Sequence, residues 1–181
     1  MYLTCLAAVK ILHQDTRIKF NCMKLFTTGV YGKTEDVFYG QLINNHIDTF
    51  CDIRQRRGVR GSKYAFVNSN YLQNKLSALH INYLYEKQLA PTREIREMQW
   101  IADKAEHQTK KTRDILGKAF CCGYQQLILD VVNLDLLMNK LITQKAENIV
   151  FFCLEAKPEA CHRSLLANRL SKIYNLEIIN L

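Results

Sequence analysis

VFFCLEAKPEACHRS, residues 150–164, is the stretch whose reading decides the fold. Ile149, Val150, Phe151 and Phe152 form a short apolar run that ends in Cys153, Leu154 and Glu155. A loop containing Pro158 follows. Cys161-His162-Arg163-Ser164 then opens a helical pattern with Leu165, Leu166, Leu170 and Ile173 on one face. A buried strand that ends in polar groups and turns into a helix is the geometry at which open α/β sheets bind ligands. The stretch therefore predicts a fold class and a place for a site.

Working outward, residues 176–181 (LEIINL) read as the closing strand and residues 24–30 (KLFTTGV) as the first. Thr34 suits the N-cap of a helix over residues 35–44 with Val37, Phe38 and Leu42 facing inward. Residues 47–53 (IDTFCDI) are a second strand, residues 68–79 a helix carrying Leu72, Leu76 and Leu79, and residues 81–85 (INYLY) a third strand. Thr92 caps a helix in which Ile95, Met98, Ile101 and Ala105 share a stripe. Residues 106–113 (EHQTKKTR) are polar and basic and read as a loop or an exposed helix end. Residues 119–141 read as a further helix, with apolar positions at 124, 127, 128, 131, 134, 137 and 141.

Alternating strands and helices imply a three-layer α/β fold. The sheet is expected to be mostly parallel, with about five strands and helices on both faces, because parallel neighbours need crossover connections. The C-terminal ends of the strands then share one edge. Gly29, Tyr31, Asp52, Arg54, Glu86, Cys153 and Glu155 are expected to gather there. Residues 23–181 are read as one domain, preceded by an extension over residues 1–22.

Composition narrows the function classes. The chain has 181 residues, 25 Lys and Arg against 17 Asp and Glu, and a net charge of +8, which suits an anionic partner. Seven cysteines, an odd number with no C-x-x-C pair, argue for reduced thiols in a cytoplasmic protein rather than a disulfide framework. No segment approaches the roughly 18 apolar residues of a membrane span, so no membrane association is expected.

Three constellations carry candidate chemistry. The first turn of the last helix, with Arg163 and Ser164, has free N–H groups and a guanidinium suited to phosphate. Arg163 could equally pair with Glu155 or Asp52. Cys153 and Cys161 are candidate nucleophiles with His162 as base, although free cysteines are more often simply packed. The run RQRRGVRGSK, residues 54–63, contains Arg54, Arg56, Arg57 and Arg60 and is followed by Tyr64 and Phe66 as stacking platforms, the best argument for nucleic acid. Asp52 and Glu155 are expected to balance the arginines, and Gly29 to let backbone approach a ligand. Cys51, Cys153, Cys161 and His162 match no structural zinc spacing, so neither a metal nor another cofactor is expected. The partner expected at the strand ends is a phosphorylated small molecule, a nucleotide or a nucleic acid. The alternatives are a Cys/His-dependent hydrolase or transferase, and an interaction module docking an acidic protein through the basic loop.

KLFTTGVYG, DTFCDIRQRRGVRGSKYAFVNSNYL, LAPTREIREMQ and FFCLEAKPEACHRSLLANRL together resemble the prokaryotic family called domain of unknown function 488. The resemblance covers residues 23–181 and rests mainly on the C-x-E…CHR-S signature. It implies a Rossmann-like fold with the motif residues Gly29, Asp52, Arg54, Cys153, Glu155, Cys161, His162 and Arg163 at the strand C-termini. Many members carry Gly-His-Ser where this chain has Gly29-Val30-Tyr31, and Asp-Val-Arg with a Pro-containing loop where it has Asp52-Ile53-Arg54 and the basic run. The chain is similar to a subgroup in which Gly-Val-Tyr-Gly and Arg-Arg-Gly-Val-Arg-Gly replace those segments.

Overall fold

The apolar runs form a five-stranded sheet, all of it parallel, in the order β3-β2-β4-β1-β5. The strands are β1 (Lys24–Thr28), β2 (Thr49–Asp52), β3 (Asn82–Tyr85), β4 (Asn148–Phe152) and β5 (Glu177–Asn180). Six α-helices connect them among the described residues: α1 (Glu35–Asn44), α2 (Ser69–Ala78), α3 (Arg93–Ala105), α4 (Lys118–Tyr124), α5 (Leu134–Thr143) and α6 (His162–Tyr174). The computed structural model describes residues 22–181; the extension expected over residues 1–22 lies outside them apart from Cys22.

Side chains alternate across the sheet and so feed two cores. Leu25, Cys51, Ile149 and Phe151 pack against α3, α4, α5 and α6. Phe26, Phe50, Val150 and Phe152 pack against α1 and α2, where Phe38 meets Phe50, Phe66 and Phe152 at ring-centroid distances of 6.2, 5.8 and 5.4 Å. This is the expected three-layer α/β arrangement. Central β4 is buried along nearly its whole length, which explains why its sequence is a continuous apolar run rather than an alternating one. No helix among the described residues is long and apolar enough to cross a membrane.

The caps read from sequence are in place: the Thr34 and Thr92 hydroxyls accept from the backbone N–H of Val37 and Ile95, at 3.3 and 3.4 Å. Other details differ. Val37 and Ile173 are exposed while Phe38, Leu42, Leu166 and Leu170 fill the core, because the buried arc of each helix is narrower than its apolar composition. The long helix expected over residues 119–141 is broken: α4 runs into a π-turn at Gln125–Leu129, and α5 restarts where the Asn133 side chain accepts from Leu136 N–H at 3.1 Å. Within that stretch Leu127 and Val131 are exposed. In α3 the buried face is Ile95, Gln99 and Asp103, with Ile101 63% exposed and Ala105 also outside. Polar groups occupying the inward stripe of a helix mark the neighbourhood of the site.

Candidate functional site

β2 and β4 are adjacent, but the chain leaves them toward opposite faces of the sheet, through α2 and α6. Their diverging ends leave a crevice, the place where open α/β sheets hold ligands. A cleft of about 360 Å³ occupies it. Arg54, Arg56, Cys153, Glu155 and His162 come to its wall from the strand ends, and Arg96, Trp100, Asp103, Lys110 and Arg113 from α3 and the loop that follows.

The two arginines that stand out in the sequence are buried in the framework. Arg54 donates from Nε and Nη2 to the Asp52 carboxylate at 2.9 and 2.7 Å, and from Nη1 to the Val67 carbonyl at 2.9 Å. Its guanidinium lies 4.6 Å from the centroid of the Phe152 ring. Asp52 also accepts from Arg54 N–H and from the Tyr83 hydroxyl, at 3.1 and 2.9 Å. Arg163 donates to the carbonyls of Glu155 and Ala156 at 2.6 and 2.9 Å and to the Thr27 hydroxyl at 3.4 Å. Ser164 turns back to the Cys161 carbonyl at 2.9 Å. Arg163 therefore pairs with the backbone of the Glu155 loop, not with a carboxylate.

Gly29 has a specific reason to be glycine. An added Cβ would stand 1.7 Å from the Glu155 carbonyl oxygen, so the close approach it permits is by the protein's own loop. Gly29, the Glu155 carbonyl and Arg163 Nη1 stack in contact and set the height at which Glu155 leaves β4.

From there the Glu155 side chain enters a buried ionic network. Its Oε1 accepts from Arg113 Nη2 at 3.1 Å and pairs with Lys110 Nζ at 3.2 Å. Arg113 also donates to Asp103 Oδ2 at 2.9 Å and to the Ala160 carbonyl at 3.1 Å, and Asp103 accepts from Gln99 Nε2 at 2.7 Å. Burial alone would raise the Glu155 carboxyl, but Lys110, His162 and the neighbouring thiols outweigh it and hold it far below the usual carboxylate range. The residues that sequence reading missed, Gln99, Asp103, Lys110 and Arg113, are the ones that hold this carboxylate. The signal available was the polar pair Gln99 and Asp103, at four-residue spacing in line with Ile95.

Cys153, Cys161 and His162 do converge: their donor atoms all lie within 4.8 Å of one another. The Cys161 thiol donates to Glu155 Oε2 at 3.0 Å, and its sulfur is 3.7 Å from His162 Nδ1. His162 Nε2 lies 3.1 Å from the Ile53 carbonyl, which can only accept, so Nε2 carries hydrogen and Nδ1 faces the sulfurs. The Tyr124 ring closes the other side, 5.4 Å from the imidazole. Its hydrogen bond with Cys161 and its burial push the Cys153 thiol well above the ordinary thiol range. Burial would lower His162, but the Cys153 sulfur, Glu155 and the Ile53 carbonyl leave it raised.

The basic run divides. Arg57 lies against the Tyr85 ring at 4.4 Å, Arg60 and Lys63 point outward, and Arg56 alone of these reaches the cleft. Tyr64 and Phe66 are not exposed stacking platforms: both are buried in the α1–α2 core, and the Tyr64 hydroxyl accepts from Gly32 N–H at 3.0 Å. Glu86 lies outside the cleft, held by Lys140 at 2.5 Å. Cys51 packs in the α3–α6 core, apart from the other two thiols.

Compared with known proteins, residues 34–170 match the family model described as Domain of unknown function DUF488. No curated protein and no solved structure matches the chain.

Proposed function

The chain belongs to the DUF488 family, and we propose that its cleft between the ends of β2 and β4 binds a small phosphorylated ligand, a nucleotide by preference. One observation carries this reading: Arg56 and Arg96 line the cleft with no carboxylate partner among the described residues. The other cations of the wall are answered, Arg54 by Asp52, and Arg113 and Lys110 by Asp103 and Glu155. Two guanidiniums converging on one cleft offer a phosphate paired, charge-assisted hydrogen bonds that a single surface arginine does not.

The cleft volume of about 360 Å³ matches a small molecule, not a polymer groove. Trp100 is 62% exposed and forms part of the wall, an aromatic face for a base to stack on. A thiol-enzyme reading has the juxtaposition of Cys153, Cys161 and His162 in its favour. Against it stands the raised Cys153 pKa, since a nucleophile needs its thiolate.

Calorimetric titration of the chelator-treated protein with adenosine monophosphate and with inorganic phosphate tests the proposal. Loss of one charge-assisted contact, in Arg56→Ala or Arg96→Ala, is expected to weaken both probes about tenfold, and rising salt to weaken them further. Trp100→Ala is expected to weaken the nucleotide alone. No binding at millimolar probe, or equal binding by both arginine variants and the parent, refutes the reading.

A further inference from the structure

The cluster at the cleft floor has a use that does not require a nucleophilic thiol. We propose that Cys153, Cys161 and His162 are the protein ligands of a thiophilic divalent ion, zinc by the chemistry of the donors, whose fourth position faces the cleft.

The donor geometry is already close to that of a bound ion. Zinc takes thiolate sulfur at about 2.3 Å and imidazole nitrogen at about 2.0–2.1 Å, so a tetrahedral centre separates sulfur and nitrogen ligands by roughly 3.5 Å. Cys161 Sγ and His162 Nδ1 are 3.7 Å apart, and all three donors fit within 4.8 Å. Closing such a set around an ion needs only side-chain adjustment.

The second observation is independent of these distances. A metal-binding histidine characteristically donates its far N–H to a carbonyl or carboxylate, which fixes the tautomer and aims the other nitrogen at the ion. His162 is held in this way by the Ile53 carbonyl, 3.1 Å from Nε2. The supports are rigid: Cys153 follows the central strand directly, while Cys161 and His162 are the N-cap and first residue of α6. The positive end of α6 favours the two thiolates that binding requires.

Cys153 and His162 line the cleft, whereas Cys161 is fully buried behind them. With Glu155 Oε1 engaged by Arg113 and Lys110, this arrangement leaves the fourth corner to a water from the cleft, the open pattern of catalytic rather than structural zinc sites. Loading balances simply: each thiol loses its proton, two sulfur–zinc bonds form, and two protons leave for solvent. The Cys161 proton already has an acceptor in Glu155 Oε2 at 3.0 Å. Linear spacing conceals the site because nothing between residues 153 and 162 resembles the short loop of a zinc knuckle.

The test is metal binding by the full, reduced chain in buffer free of phosphate and nucleotide, so its outcome is separate from that of the anion titration. After equimolar zinc and desalting, about one ion per chain is expected by mass spectrometry. Cobalt(II) is expected to give a sulfur-to-metal charge-transfer band and the intense visible bands of a tetrahedral centre. Cys153→Ser, Cys161→Ser and His162→Gln are each expected to lose at least tenfold in zinc affinity, while Cys121→Ser and Cys122→Ser retain it. The cobalt spectrum is read on the parent protein, so it decides the matter even where a variant fails to fold. Substoichiometric zinc, a cobalt spectrum without the sulfur band, or zinc retained undiminished by all three folded ligand variants overturns the proposal.

Discussion

Arg113 is the keystone of the ionic network, and replacing it with methionine isolates what the network is worth. The side chain is 7% exposed and makes three hydrogen bonds, to Asp103, Glu155 and the Ala160 carbonyl. Methionine fills comparable space but leaves two carboxylates without their common partner. Removing one member of a buried ion pair costs about 3–5 kcal/mol, mostly as the penalty of the stranded charge. Here Glu155 keeps Lys110, whose side chain is 48% exposed, and Asp103 keeps Gln99, so the loss belongs near the lower end, about 3 kcal/mol. Urea denaturation at neutral pH measures it directly. Adding Asp103→Asn to Arg113→Met removes one stranded charge, and the double variant is expected to be more stable than the sum of the singles by about 1–3 kcal/mol. A single-variant cost below about 1 kcal/mol, the value of a surface pair, would refute the claim that these charges are desolvated.

Gly29→Ala is expected to destabilise by about 1–3 kcal/mol or more, since a Cβ at 1.7 Å from the Glu155 carbonyl forces the loop off Arg163; an unchanged urea midpoint contradicts this. Glu155 has its folded pKa depressed below the ordinary 4.5, so its contribution is complete above that value and fades as pH falls through it toward the folded pKa. Glu155→Gln is therefore expected to flatten the acid limb of the stability curve, and an unaltered limb assigns acid sensitivity elsewhere. Iodoacetamide at neutral pH is expected to label the exposed Cys22 and Cys122 in the native protein, and Cys51, Cys153 and Cys161 only after unfolding. Rapid native labelling of Cys153 or Cys161 would favour the nucleophile reading.

The fold was legible because its signals are local. An apolar run bounded by polar residues marks each strand, and Thr34 and Thr92 cap their helices through bonds that span three residues. The placement of Asp52, Arg54, Cys153 and Glu155 at neighbouring strand ends followed from parallel pairing alone, whereas Glu86, expected with them, lies outside the cleft. Which arginines face solvent was not legible, because pairing is decided by contacts distant in sequence. Arg54 and Arg163 look like anion donors until Val67, Thr27 and the loop carbonyls claim their N–H groups. Arg113 looks like a solvated charge until Asp103 and Glu155 close around it. Helix α3 misleads for a related reason: its inward stripe carries Gln99 and Asp103, so hydrophobic periodicity turned the helix toward Ile101.

The position of β4 constrains how the chain can be made. β1 and β2 are consecutive in sequence yet never touch, because β4 lies between them and pairs with both, Leu25 opposite Ile149 and Cys51 opposite Phe151. A nascent chain that has emerged only through α3 can form the β2–β3 pair, but β1 has neither of its neighbours and α1 no complete surface to cover. Pairing over such sequence separations is slow, and unpaired strand edges recruit other chains. Folding of this sheet is therefore expected to complete only once β4 and β5 have emerged from the ribosome, with chaperone contact concentrated on the stretch from β1 to α3 until then.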